Sequence, residues 1–135
     1  ARAVGYKWTS EGLETLFLRS KVLLDSKAAG IRFPVTGLWQ DIGDIDGLKR
    51  FAIQSKQIGY TGMTVIHPSH IPAVNEIFSP SKEEIKECQD LIDAMKEVRE
   101  SGGAAVSYLG GMVDIAHEKT AIETLELAKE LGLIE

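Results

Sequence analysis

The twenty residues from Gly62 to Ser81 limit what this chain can fold into more than any other stretch. A β-branched run, Met63-Thr64-Val65-Ile66, stops at a His67-Pro68 step. Pro72 then stands where the first turn of a helix tolerates proline. Ser79-Pro80-Ser81 opens another helix, and Glu84 follows Ser81 at the spacing of a capping box. A strand that turns a corner straight into a helix is the unit of parallel β/α architecture, because parallel strands need a crossover between them.

The flanking segments repeat this order. Leu13, Leu16, Phe17, Ser20, Leu23, Leu24 and Lys27 follow a helical period. With Thr9 or Ser10 as cap, they predict a long helix ending near Ala28-Ala29, with Gly30 behind it. Ile31 to Val35 is a short strand candidate, weakened by Pro34, and residues 36–41 read as a loop. Asp44 is placed to cap a helix with Leu48, Phe51, Ala52, Ser55 and Ile58 inward and Gly59 as its stop. Met63 to Ile66 reads as a short buried strand. After Ser81, a stripe of Ile85, Cys88, Ile92 and Met95, widened by Leu91 and Val98, runs to Gly102-Gly103. Residues 104–113 read as an extended pair or a long turn. Lys119 to Leu131 reads as a last helix with Ala121, Ile122, Leu125, Ala128 and Leu131 inward. Two strands cannot close a barrel or satisfy a parallel sheet on both edges and faces. The pattern therefore predicts part of a larger α/β fold, and residues 1–8, starting at Ala1, read as cut from a longer chain.

Composition removes several functions. The net charge is -5 with Lys and Arg scattered among acids, which argues against a nucleic-acid partner. No apolar run approaches the ~20 residues that span a bilayer, and no signal peptide is visible, so no membrane partner is expected. Cys88 is the sole cysteine, so neither an intrachain disulfide nor a cysteine metal cage is available. It reads as a buried core thiol in a reducing, cytoplasmic setting.

Four groups offer chemistry, each with a plainer alternative. His67 and His70 close a strand, where β/α barrels place their sites, yet either ring can simply pin the turn. Asp41, Asp44 and Asp46 can hold a hard cation, but their spacing is not that of a calcium loop, and Asp44 serves better as a cap. Gly59 to Gly62 and Gly110-Gly111 read as turns rather than phosphate loops, the first lying between helix and strand in the wrong order. Asp114 sits in a loop flanked by apolar residues, as a functional carboxylate or the cap of the final helix.

The ordered set of residues resembles a known family. Val65-Ile66-His67-Pro68-Ser69, Val74-Asn75 and Phe78-Ser79-Pro80-Ser81 are similar to the C-terminal half of the citrate lyase β-subunit-like enzymes, with the malyl-CoA and citramalyl-CoA lyases. Arg19-Ser20, Ala28-Ala29-Gly30, Asp41 to Leu48, and Gly111-Met112-Val113-Asp114 with His117 extend the resemblance over nearly the whole chain. It implies the C-terminal portion of a TIM (β/α)8 barrel: the last two strands and their helices in residues 1–78, then a helical lid and oligomerisation segment in 79–135. It implies a carbon–carbon lyase acting on a 3-hydroxyacyl-CoA thioester, with Mg²⁺ orienting the oxo-acid. Asp114 is implied as the catalytic acid/base, given to a neighbouring subunit of a homo-oligomer, a trimer or hexamer. Ile66, His67 and Pro68 are implied as CoA-side residues. The family's metal ligands lie upstream of the residues present, so no metal ligand is expected here and the chain alone is expected to be inactive. Thr36-Gly37 stands where the family usually has an Asp, a departure that bears on the acyl subclass. Two other readings compete: a non-catalytic half-barrel that mediates subunit contact, and another TIM-barrel aldolase.

Overall fold

Gly12, at φ 64°, turns the chain into the first helix, α1 (Leu13–Ala28). The computed structural model describes residues 5–9, 11–103, 106–108 and 111–135. Gly12 rather than Thr9 is the N-cap, and the alternative, Ser10, lies outside the described residues. Thr9 instead binds the carboxylate of Glu14 through its amide and hydroxyl, and its Oγ1 accepts from the Gly12 amide. The helix ends where its periodicity fails, with Gly30 just past it at φ 78°.

The inward face of α1 is only partly the expected one. Thr15, Arg19 and Leu23 are buried, whereas Leu13, Phe17 and Leu24 are 64%, 75% and 67% exposed. The buried guanidinium is matched by neutral acceptors. Arg19 Nε donates to Thr15 Oγ1, Nη1 to Ser55 Oγ, and Nη2 to the Gly12 carbonyl and Gln54 Oε1. Its carbon lies 4.5 Å from the centroid of the Phe51 ring. A polar face is buried because each nitrogen of the guanidinium finds a partner.

The strand candidate at Ile31 to Val35 shrinks and shifts. β1 (Val35–Thr36) forms only after Pro34, whose carbonyl accepts from the Thr61 amide and hydroxyl. α2 (Ile45–Ile58) starts under Asp44, whose Oδ1 accepts from the Gly47 amide at 2.8 Å, and ends at Gly59, φ 112°. β2 (Gly62–Met63) pairs parallel with β1, Val35 opposite Gly62 and Thr36 opposite Met63. The buried strand expected to reach Ile66 is therefore short and half in solvent, with one bond beyond it, from the Thr64 amide to the Thr36 carbonyl. A strand with one paired neighbour has nothing to bury both its faces. A 3₁₀ turn (Pro68–His70) leads into α3 (Ile71–Phe78), where Pro72 occupies the first turn. Leu23, Trp39, Leu48, Phe51, Ala52, Tyr60, Val74 and Phe78 form the core of this unit, Ala1–Phe78.

The second unit is Ser79–Glu135. α4 (Lys82–Glu100) begins with the expected capping box: Ser81 Oγ accepts from the Glu84 amide, and the Glu84 carboxylate accepts from the Ser81 amide. β3 (Val106–Tyr108) and β4 (Gly111–Val113) pair antiparallel, while residues 104, 105, 109 and 110 of the expected pair, with Gly110 of the Gly-Gly turn, lie outside the described residues. α5 (Ile115–Glu130) packs on α4 and starts four residues before Lys119. Ile85, Met95, Ala121 and Ala128 are buried, but Ile122 and Leu131 face solvent, and buried Glu118 pairs with Arg99 instead. Cys88 is half-buried rather than fully buried. Burial first, and then Glu84 and Glu87, push its thiol up, with an opposing hydrogen bond to Thr124. Among the described residues no helix is long and apolar enough to cross a membrane.

Two substitutions test this packing. A Cβ at Gly47 would strike the Asp44 carboxylate and come within 2.5 Å of the Trp39 ring. Overpacking of about 1–3 kcal/mol outweighs the ~0.5–1 kcal/mol that alanine gains in a helix. Gly47→Ala should therefore lower the urea midpoint, and an unchanged or raised midpoint would contradict the packing. Arg19→Met should cost about 2–3 kcal/mol in the same measurement, because it strands acceptors that bonded a charged group. A neutral result would show that those acceptors find other partners.

Candidate active site

The strand-end corner is built by its own backbone. His67 is extended and caps the 3₁₀ turn: its Nδ1 accepts from the Ser69 amide at 3.2 Å and lies 2.8 Å from Ser69 Oγ. The accepting Nδ1 leaves the other ring nitrogen, Nε2, to carry the proton. Ile66, His67 and Pro68 are exposed as one contiguous ridge, open to a ligand. His70, three residues on, has the opposite environment. It is fully buried, Nε2 lies 3.3 Å from the Ile42 carbonyl, and Nδ1 has no partner among the described residues. The two rings stand edge to face, 6.4 Å apart. His67 thus pins the turn and stays accessible, whereas His70 is a core group holding the loop before α2.

Asp114 lies in the second unit, at the N-cap of α5 rather than in a free loop. Its Oδ1 accepts from the amides of Ala116 and His117 at 2.9 and 3.4 Å and lies 2.9 Å from His117 Nδ1. These contacts hold its carboxyl below the usual range, the His117 side chain first and the two amides after it. Half of the side chain remains in solvent. Met112 and Ile115, two residues before and one after it in sequence, are 77% and 65% exposed.

The aspartates after β1 are mostly used by the backbone. Asp44 caps α2, and Asp41 Oδ1 accepts from the Gly43 amide. Among the described residues no three His, Cys, Asp or Glu side chains converge as a metal site. Two open hollows flank the end of β1, of about 400 and 470 Å³. Trp8 and Gln40 line both, Trp39 and Asp44 the first, and Arg19 and Tyr60 the second. Sequence reasoning passed over this wall, although a tryptophan in the short loop after a strand, as Trp39 is three residues past Thr36, is a usable signal. It also missed the direct Asp114–His117 contact, which the Asp-x-x-His spacing at a helix start marks.

Comparison with known proteins adds a family to this geometry. A family profile, the C–C bond lyase of the TIM-barrel fold, matches residues 20–133. The human mitochondrial citramalyl-CoA lyase is 36% identical over 129 residues, 96% of this chain and 38% of that protein. The citrate lyase subunit beta of Leuconostoc mesenteroides is 30% identical over 93% of this chain and 41% of its own length. The protein CitE of Mycobacterium tuberculosis, solved with magnesium, acetoacetate and coenzyme A, superposes with a TM-score of 0.74 at 27% identity. That match covers 93% of this chain and 46% of CitE. The chain thus spans less than half the length of each of these relatives.

The depressed Asp114 carboxyl predicts a pH dependence. Its contribution to stability is fully present above the unfolded value of about 3.9 and is lost as pH falls through the lower folded value. Asp114→Asn keeps a capping oxygen but not the charge. Melting curves of the two proteins should differ at neutral pH and converge in strong acid; a gap independent of pH would show that the charge contributes nothing.

Proposed function

Because the chain belongs to the C–C bond lyases of the TIM-barrel fold, we propose that it is the C-terminal part of a Mg²⁺-dependent lyase of 3-hydroxyacyl-CoA thioesters. The names of its relatives support a malyl-, citramalyl- or citryl-type substrate. Residues 1–78 are then the last two β/α units of a barrel. Two features favour this: β1 and β2 pair in parallel with helices between and after them, and the apolar faces of α1 and Val35 stand in solvent. Neighbouring strands and helices of a barrel would cover those faces. Residues 79–135 are the lid and oligomerisation segment of a trimer or hexamer, with Asp114 lent to an adjacent subunit. The lone cysteine favours a reducing compartment such as the cytoplasm, while the human relative is mitochondrial by name.

The observation that carries the reading is the exposed, backbone-held carboxylate of Asp114 between Met112 and Ile115. In cleavage, the 3-hydroxyl gives up its proton to a base outside these residues, the carbon–carbon bond breaks, and its electron pair moves onto the thioester as an enolate. Asp114 returns one proton to that α-carbon; in the bond-forming direction it removes the proton. The exposed ridge of Ile66, His67 and Pro68 takes the CoA side. Mg²⁺, bound by CitE, supplies polarisation of the oxo-acid carbonyl in such chemistry. The described residues bring no ligand set together, so no step is assigned to the metal here. Its ligands belong to the rest of the barrel, and the 135 residues alone are expected to be inactive.

In the natural protein carrying this sequence, Asp114→Asn should lower acyl-CoA cleavage about 10²–10⁴-fold, the range of a lost general acid/base. Binding of the CoA ester, read by calorimetry, should change little. Undiminished turnover would remove Asp114 from the chemistry.

A further inference from the structure

His117 stands in a relation to Asp114 that a cap alone does not require. Its Nδ1 lies 3.3 Å from the Asp114 amide and 2.9 Å from the Asp114 carboxylate oxygen Oδ1. The amide contact needs a lone pair on Nδ1, whereas the carboxylate contact needs a proton between the two atoms, since two lone pairs 2.9 Å apart repel. One nitrogen cannot satisfy both at once. The shorter contact is the charge-assisted one. It fits a single proton held between Nδ1 and Oδ1, with the amide contact taking over when that proton leaves. Among the described residues none of the Asp114 side-chain bonds involves Oδ2: the Ala116 amide, the His117 amide and the His117 ring all converge on Oδ1.

We infer that His117 is a positioning residue that shares one proton with Asp114, fixing Oδ1 so that Oδ2 is free to exchange a proton with the α-carbon of an acyl-CoA thioester. This rests on the reading of Asp114 as the acid/base. In the bond-forming direction the α C–H bond breaks, its electron pair stays on the substrate as the enolate, and the proton passes to Oδ2. Cleavage returns the same proton, so the step balances without a further reactant.

The surroundings leave His117 as the controlling group. On α4, Arg99 is paired with Glu118 of α5, and the Tyr108 hydroxyl of β3 stands in the field of Asp90, Glu87 and Cys88. Among the described residues, His117 is the one titratable side chain that acts on the Asp114 carboxyl, and it favours the ionised form.

A glutamine at this position separates proton sharing from capping, because glutamine at the third helical position still completes a capping box but carries no exchangeable charge. The test uses His117→Gln in the natural protein. Carbon-detected NMR would follow the Asp114 carboxyl through pH without substrate, beside the acid limb of kcat/KM in the bond-forming direction. The expected result is an upward shift of the carboxyl titration and of the acid limb together, with an unchanged circular dichroism spectrum and Tm. Loss of the helical start in His117→Gln, seen as a lower Tm with an unmoved carboxyl titration, would reduce His117 to a cap and overturn the inference. So would a wild-type carboxyl titration and pH profile. Failure of the underlying reading is distinguishable: Asp114→Asn would then keep full turnover, while the substrate-free titration still decides whether the proton is shared.

Discussion

The first unit depends on one buried cation. Arg19 reaches from α1 to α2 through Ser55 and Gln54, back to the loop through the Gly12 carbonyl, and along its own helix to Thr15. The Tyr60 hydroxyl closes the set by donating to the Arg19 carbonyl at 2.9 Å. Burial lowers the guanidinium's affinity for its proton, offset by Tyr60 and Glu14, yet arginine stays charged throughout the physiological range. A charge that cannot be neutralised must be solvated by the protein, and the neutral oxygens around it do so. Their positions fix the rotation of α1, so the helix turns Thr15 and Arg19 inward beside Leu23 while most of its apolar residues face solvent.

Local grammar was legible in the sequence; anything requiring a distant partner was less so. The caps at Asp44 and Ser81, the stop at Gly59 and the face of α2 appeared as expected, because each is decided within a few residues. Strand limits were not, since β1 begins where Pro34 stops withholding a donor and Thr61 finds its carbonyl. The face of α1 was read only in part: Leu23 is buried as expected, but Leu13, Phe17 and Leu24 are not. Hydrophobic periodicity says which residues want burial, not whether a surface to bury them is at hand, and the stripe of Leu13, Phe17 and Leu24 has none among the described residues. At α5 the helical period was read only from Lys119, four residues late, although Asp114 is the helix cap the sequence offered as one alternative; with His117 it makes the two bonds of a capping box.

The candidate site shows the same division. That Ile66, His67 and Pro68 form an accessible ridge follows from the His-Pro step, which ends the strand and lets the ring bond its own turn. That His70 is buried did not follow from spacing, since its partner is the Ile42 carbonyl 28 residues away. The family resemblance, by contrast, was carried by ordered short segments and matched a profile over most of the chain.

A carboxylate at a helix start faces two opposed demands in the proposed reaction. The amides and the imidazole stabilise its charge, which suits removal of a proton from carbon. Returning a proton to an enolate needs the neutral acid, and the same contacts oppose that state. Burial works in the other direction, because removing water raises a carboxyl's affinity for its proton. If the segment docks as proposed, the exposed Met112 and Ile115 would be covered, and Asp114, between them in sequence, would lose water with them. Its amide and imidazole partners would move with it, being parts of the same helix turn. Desolvation and capping then pull against each other at one oxygen pair, which narrows the gap between the two protonation states when substrate is enclosed. An acid/base that must work in both directions needs that near balance, and neither a fully buried nor a fully solvated aspartate would provide it.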